Sequence, residues 1–119
     1  MILAAALALA QASPYTRMSD AEFCDVIQTA MEFIETPMSL GTVGRLDRIS
    51  ANCDDRSLVA NVTMLEAGAA LGEEERNARQ SDWTCQNPIL AMVVRRGWRI
   101  QHRFTFPSGE QAVTEVSAC

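Results

Sequence analysis

The sequence predicts an α+β protein: an antiparallel sheet of about four strands, in two hairpins, with two to three helices packed on one face. Two stretches repeat apolar residues at helical spacing, and four shorter stretches have the alternation or the composition of strands. The predicted order along the chain is a helix, a hairpin, one or two helices, and a second hairpin. With 119 residues, of which 48% are apolar and 21% charged, the chain has room for one domain with one core.

Residues 1–12 are predicted to be an export signal peptide. The apolar run at residues 2–10 has the length of a signal-peptide core, and residues 10–12 have the small-x-small form of a cleavage site. No Lys or Arg precedes the run, and a buried N-terminal helix is the alternative. The run is too short to cross a bilayer, so no membrane span is expected. Residues 13–18 are predicted to be a flexible leader, and residues 19–119 a single disulfide-bonded domain, periplasmic or secreted.

The four cysteines support export, because an even count in an oxidising compartment predicts disulfides. They allow three pairings, and pairing within each half of the chain, Cys24 with Cys53 and Cys85 with Cys119, is favoured. A helix of about 13 Å follows Cys85, so the second bond requires an oblique helix or terminal residues that leave the sheet. No C-x-x-C spacing suggests a zinc or redox site. Acidic residues shortly before Cys24 argue against a lipid anchor.

The first predicted helix begins at the capping box of residues 19–22 and runs to about Glu35, where Thr36-Pro37 stops it. The apolar residues of this helix recur at three- and four-residue steps and form one apolar stripe. The stripe contains Phe23, Val26, Ile27, Ala30, Met31 and Ile34.

The first hairpin is predicted at residues 45–53 and 57–65, around a turn at Asp54-Asp55. The preceding residues 38–44 are expected to be a loop. Both faces of the second strand are apolar, which favours a central strand covered on both faces.

The middle of the chain, residues 66–82, is predicted to be one polar, solvent-facing helix. Acidic residues at 73–75 suit a helix N-terminus, and Glu75 is spaced to pair with Arg79. A buried helix then begins at Asn87-Pro88, where the first residue caps and proline fits the first helical position. Gly97 closes it.

The second hairpin is predicted after Gly97, with a three-residue loop at 107–109. In that register all apolar positions share one face. The facing pairs are Phe104 with Ala112, His102 with Thr114, and Ile100 with Val116. Arg103 is expected to lie diagonal to Glu115 on the other face.

Four arginines near this hairpin are the candidate partner-binding residues. The formal net charge is −5, which disfavours nucleic acid as a partner. Although the net charge is negative, four arginines lie close together in the sequence, at Arg95, Arg96, Arg99 and Arg103. This local positive charge suits an acidic partner or a phosphate-bearing envelope component. The alternative is a helix C-terminus followed by a solvated strand face. Trp98 is predicted to lie in the core rather than at an interface.

No set of catalytic or metal-binding residues is predicted. His102 is the only histidine, and its apolar strand face favours a core residue with satisfied hydrogen bonds. No nucleophile pairs with it by spacing, and no second histidine completes a metal site. Glu66 and Asp82 could meet in space as a carboxylate pair, but nothing in their spacing requires it. We therefore expect no cofactor and a protein that is not an enzyme.

The tail resembles a known group of proteins. Its motif is Cys85-x-Asn87-Pro88, an apolar helix, Gly97-Trp98, a strand, Ser108-Gly109, a strand and Cys119. This resembles the C-terminal part of small exported proteobacterial proteins that carry one disulfide across the unit. It is more distantly similar to the disulfide-bonded α/β pilotins, which guide secretins in type II secretion. The resemblance covers about 35 residues and implies the fold more than the function.

The leading interpretation is a small exported, non-enzymatic protein that acts by protein–protein contact in the cell envelope. One alternative is a small cell-wall-directed hydrolase or inhibitor, which would need a deep pocket with two or more carboxylates. The other is a carrier of a small apolar ligand, which would need a cavity between the sheet and the helices.

Overall fold

The fold was described from a computed structural model over residues 17–119. The predicted signal peptide, 1–12, and residues 13–16 of the predicted leader lie outside the described residues. The described elements, in chain order, are α1 (Asp20–Glu32), β1 (Met38–Ser39), β2 (Gly44–Asn52), β3 (Ser57–Met64), α2 (Glu66–Ala69), α3 (Glu73–Gln86), α4 (Pro88–Arg95), β4 (Arg99–Thr105) and β5 (Gln111–Val116).

The described strands form one sheet in the order β1-β2-β3-β4-β5. The α+β class is confirmed, but the sheet has five strands and the described residues form four helices, more of each than predicted. The fifth strand is the short β1, which lies in the stretch predicted to be a loop and pairs Met38 with Leu46. The other four strand positions agree with the sequence prediction to within about a residue.

The two hairpins join through a parallel pair, β3 with β4, and all other pairs are antiparallel. The predicted all-antiparallel sheet is therefore wrong at this one junction. Three helices separate β3 from β4 and return the chain to the end of the sheet where β3 began, so β4 must run in the same direction.

The core lies between the helices and one face of the sheet, which we call the inner face. Leu58, Ala60, Val62 and Met64 of β3 are buried there, and the intervening residues of β3 are only half-buried. The prediction that β3 is central is confirmed, but helices cover it on one face only. Its second face, the outer face, carries no described helix.

Helix α1 begins as the capping box predicts. The Ser19 hydroxyl accepts from the Glu22 amide at 3.2 Å and donates to the Glu22 carboxylate at 3.0 Å. The helix buries Phe23, Ile27 and Met31 against the sheet and ends at Glu32, earlier than predicted. Met18, placed by the sequence in the flexible leader, packs against the core beside this helix.

Residues 66–82 do not form one helix. They contain the short α2 and the start of α3, and Gly72 caps the latter. Gly68 allows α2 to lie close to the sheet. A Cβ on Gly68 would overlap the Val43 carbonyl oxygen and would lie 2.7 Å from the Met64 methyl carbon. The chain therefore approaches β3 at a place where only glycine fits.

Helix α4 and the second hairpin follow the sequence prediction closely. The Asn87 side chain accepts from the Ile89 and Leu90 amides at 3.0 and 3.2 Å, and Gly97 has φ +95°. The predicted register of β4 with β5 is confirmed. The register places Arg103 diagonal to Glu115, as predicted, and Glu115 forms its ion pair with Arg99 at 3.2 Å.

Candidate functional site

Two disulfides tie the helices to the sheet. Cys24 of α1 is bonded to Cys53, which follows β2, and Cys85 of α3 is bonded to Cys119, with Cα–Cα distances of 5.8 and 5.4 Å. The Cys85–Cys119 bond was predicted to require either an oblique helix or terminal residues that leave the sheet. The second condition is met, because residues 117–119 leave the sheet toward α3. With a sequence separation of 34 residues, that bond contributes about 4 kcal/mol by loop-closure entropy.

The outer face carries four arginines on two strands that flank β3. Arg45 and Arg48 come from β2, and Arg99 and Arg103 from β4. The register aligns Arg48, Asn61, Arg103 and Val113 in one row across four strands. Because neighbouring strands are about 4.8 Å apart, the backbones of Arg48 and Arg103 are separated by about 10 Å.

A β-bulge at Asp47 brings Arg48 to this face. The pairing skips from Leu46 to Arg48, so one extra residue lies between them. Leu46 and Ile49 both point inward, three positions apart, whereas uninterrupted alternation would have placed Arg48 inward beside Leu46. Sequence reasoning therefore missed Arg45 and Arg48. The spacing of the buried Leu46 and Ile49 was the available signal.

Carboxylates neutralise two of these arginines. Asp47 contacts Arg45 Nε at 2.6 Å and accepts from the Thr63 hydroxyl, and these two contacts, Thr63 first, lower the pKa of Asp47. Arg99 pairs with Glu115. Within the described part of the chain, Arg48 and Arg103 have no ion-pair or hydrogen-bond partner. This row of the outer face therefore carries two uncompensated positive charges.

The predicted cluster of four arginines is divided between two surfaces. Arg99 and Arg103 lie on the outer face, while Arg95 is exposed at the end of α4. The Arg96 side chain is 15% exposed. Its guanidinium lies 4.5 Å from the centre of the Phe23 ring, donates to the Met18 carbonyl and is 3.8 Å from Asp20. These contacts give Arg96 a structural position between α1 and α4.

A second feature is an apolar cleft of about 210 Å³ on the inner face, beside α3. Helix α3 contributes Trp83, and the strands contribute the buried floor. Of the eight residues that line it, two have polar side chains and none has a charged one. The cleft is lined by Leu40, Val43, Leu46, Ala60, Val62, Gln80, Trp83 and His102.

His102 forms part of this floor and is 2% exposed. Its ring meets Trp83 edge to face, with centroids 5.6 Å apart, and stacks on Phe104 at 6.1 Å. Neither ring nitrogen has a hydrogen-bond partner among the described residues, nor does the hydroxyl of Thr114, its neighbour on β5. Burial lowers the pKa of the His102 imidazole from 6.5 to about 4. His102 is therefore buried, as predicted, but its ring lacks the predicted hydrogen bonds to any described residue.

A third, more polar groove of about 490 Å³ lies at the end of the second hairpin. Glu66 and Glu110 line it with Arg76, whose guanidinium lies 4.9 Å from the Phe106 ring centre. Asp82, the carboxylate that could have joined Glu66, does not line this groove. Over residues 17–119, no group of three or more metal-binding side chains is gathered. No helix in that range is long and apolar enough to cross a membrane.

Comparison with known proteins establishes the fold. No family model and no curated protein matches the sequence. Among solved structures, a candidate secreted protein of Pseudomonas aeruginosa, PA3611, has a TM-score of 0.68 and 14% identity, over 83% of this chain and 92% of that one. This chain has the same fold. EpsS, a pilotin of the Vibrio vulnificus type 2 secretion system, has a TM-score of 0.62 and 14% identity, over 83% of this chain and 84% of its own.

The similarity predicted from the tail is confirmed as a likeness of fold. The fold of this chain is similar to those of a candidate secreted protein and of a type 2 secretion pilotin. The similarity extends over most of the chain and is not confined to the last 35 residues. The two disulfides fit a location outside the cytoplasm.

Proposed function

We propose that this is a non-enzymatic protein of the cell envelope that docks on an acidic segment of a partner protein. The docking surface is the outer face, which we define by Arg45, Arg48, Arg99 and Arg103. The observation that carries the proposal is the pair Arg48 and Arg103, which have no described carboxylate partner in a chain of net charge −5. The likeness to EpsS supports a component of a secretion apparatus as the partner.

The charge pattern favours a protein partner with carboxylates spaced along one surface. The outer face has four arginines and two carboxylates, and the two unpaired guanidiniums are separated by one strand. Arginine presents a planar fork of donors that matches a carboxylate. The apolar Val113, 60% exposed at the end of the same row, adds contact area without charge. Basic groups flanked by an apolar residue are typical of a small docking surface.

Export and oxidation are part of the same proposal. We infer that residues 1–12 are removed and that Cys24–Cys53 and Cys85–Cys119 form in the mature protein. Non-reducing mass spectrometry of the exported protein is expected to give a start at Ser13 and these two cross-linked peptide pairs. Free thiols, or an uncleaved N-terminus, would contradict this part of the proposal.

The docking surface is tested by reversing the charges of its two unpaired arginines. The double variant Arg48→Glu/Arg103→Glu is compared with the wild type in a pull-down from envelope extract of the source organism. The matched control, Arg79→Glu/Arg95→Glu, makes the same change in net charge on the helical side. We expect the first variant to lose at least about tenfold in partner recovery and the control to retain it, because like charges repel at the contact.

The partner's properties give a second readout. Exposed charges are screened over about 8 Å at physiological salt, so recovery is expected to fall between 50 and 300 mM salt. Mass spectrometry of the recovered protein is expected to show an extracytoplasmic protein with an acidic segment. Equal recovery by both double variants, or a basic partner insensitive to salt, would refute docking by the outer face.

A further inference from the structure

The apolar cleft on the inner face has the shape of a small binding site. The described helices cover most of the inner face, but beside α3 the floor residues Ala60, Val62 and His102 are reached through an opening. At the lip, Trp83 is 43% exposed and Leu40 is 39% exposed. Two large apolar side chains that remain exposed around a concave apolar floor are characteristic of a ligand site rather than of a finished core.

His102 gives the cleft a polar group that needs a partner. A neutral imidazole has one N–H donor and one acceptor nitrogen, and neither makes a hydrogen bond to a described residue. Buried polar groups are nearly always hydrogen-bonded, because leaving one unpaired costs the free energy of removing it from water. The other side chains with a hydrogen-bonding group that line the cleft are Gln80 and Trp83, and both belong to α3. Both ring nitrogens are buried, so a ligand with one hydrogen-bonding group would satisfy the imidazole once the ring turns toward the cleft.

The size of the cleft limits what can bind. An apolar cavity of about 150 Å³ accommodates benzene, and drug-sized ligands occupy about 300–1,000 Å³. At about 210 Å³, the cleft fits one ring or a short branched chain. A hydroxyl is the group of choice, because it both donates and accepts and so pairs with either tautomer of His102. The absence of a charged side chain in the lining disfavours an ionised ligand.

We propose that this cleft binds a small, mostly apolar molecule, a single ring or a short branched chain, whose one hydroxyl hydrogen-bonds the His102 ring. The site lies on the inner face and the partner surface lies on the outer face. Loss of one therefore leaves the other testable.

The test uses two probes of equal shape, para-cresol and para-xylene, which differ by one hydroxyl. Binding to the full mature protein is followed by NMR, with the imidazole nitrogen shifts of His102 and the indole N–H of Trp83 as reporters. We expect para-cresol to bind about tenfold more tightly, which is the usual effect of one hydrogen bond. We also expect it to shift one His102 nitrogen.

Two variants separate hydrogen bonding from packing. His102→Phe keeps a ring of similar size and is expected to abolish the preference for para-cresol while para-xylene still binds. Ala60→Leu fills the floor and is expected to weaken both probes at least tenfold. Val113→Ala, on the outer face, is the control and is expected to bind both as the wild type does. A circular dichroism spectrum like that of the wild type checks that each variant is folded.

Three results would overturn the proposal. One is equal affinity of the wild type for the two probes. Another is a preference for para-cresol that persists in His102→Phe. The third is binding of a tyrosine-containing peptide with no shift by either small molecule at millimolar concentration, which would assign the cleft to a side chain of a partner protein.

Discussion

The neutral, buried His102 makes a specific prediction about stability and pH. Its pKa is lowered from 6.5 to about 4 by burial, so between these values an unfolded chain takes up a proton that the native protein does not. Protons then favour the unfolded state. The stability associated with this residue is fully present above pH 6.5, falls as the pH drops below 6.5, and reaches its lowest value near pH 4.

The magnitude follows from the size of the shift. Each pKa unit corresponds to about 1.4 kcal/mol, so a shift of about 2.5 units removes about 3 kcal/mol between pH 7 and pH 4. This is a large fraction of the stability of a small domain. The variant His102→Phe has no titrating group at this position and keeps a ring between Trp83 and Phe104. At neutral pH it is expected to be as stable as the wild type or more so, because it removes an unpaired polar group.

The assay is urea unfolding of the oxidised wild type and of His102→Phe, followed by far-ultraviolet circular dichroism at pH 7.5, 6.5, 5.5 and 4.5. Carboxylates titrate in both proteins, so their contribution cancels in the difference. The variant is expected to gain about 1.4 kcal/mol relative to the wild type for each pH unit below 6.5. A difference that stays constant from pH 7.5 to 4.5 would refute the assignment of His102 as a neutral buried group.

Two further substitutions test local packing, each against a matched control. Gly68→Ala is expected to lower the free energy of unfolding by about 1–3 kcal/mol in urea, because the added Cβ would overlap the Val43 carbonyl oxygen. Gly72→Ala is the control and is expected to change stability little, because there is open space around Gly72. Equal effects of the two substitutions would contradict this packing. Arg96→Lys is expected to lower the unfolding free energy by about 1 kcal/mol because it loses the planar contact with the Phe23 ring, and Arg95→Lys is expected to be neutral. If Arg95→Lys has the larger effect, Arg96 is not the residue that joins α1 to α4.

Local signals in the sequence predicted the helix starts and the second hairpin. Ser19 and Asn87 each accept from amides of the first helical turn, and such bonds depend on residues two or three positions away. The β4–β5 register follows from alternation, since a shift by one residue would move His102 and its apolar neighbours to the solvent side. Short-range chemistry of this kind is readable without knowledge of the fold.

The parallel pairing of β3 with β4 was not readable in the same way. It depends on where α2, α3 and α4 return the chain, and therefore on their lengths. The stretch that was predicted to be one helix breaks between Ala69 and Glu73, with Gly72 as the cap of α3, and no periodicity marks that break. The direction of a strand after a long crossover is a property of the whole connection.

The candidate sites also depend on three-dimensional features that the sequence alone does not predict. Arg48 reaches the outer face only because Asp47 forms a bulge, which reverses the simple alternation along β2. The cleft depends on the space between α3 and the first hairpin, and Trp83 lies just beyond the stretch, 66–82, that was predicted to be a polar helix. His102 was predicted to be buried, but its missing partners are visible only in three dimensions.

The proposed docking surface is tested most directly by photo-crosslinking in the living cell of origin. A benzophenone amino acid is placed at Val113, 60% exposed on the outer face, or at Ile89, 55% exposed on α4. We expect a covalent adduct from position 113 with an acidic envelope protein, lost in Arg48→Glu/Arg103→Glu, and no such adduct from position 89. An adduct that forms from position 89 alone would contradict docking by the outer face.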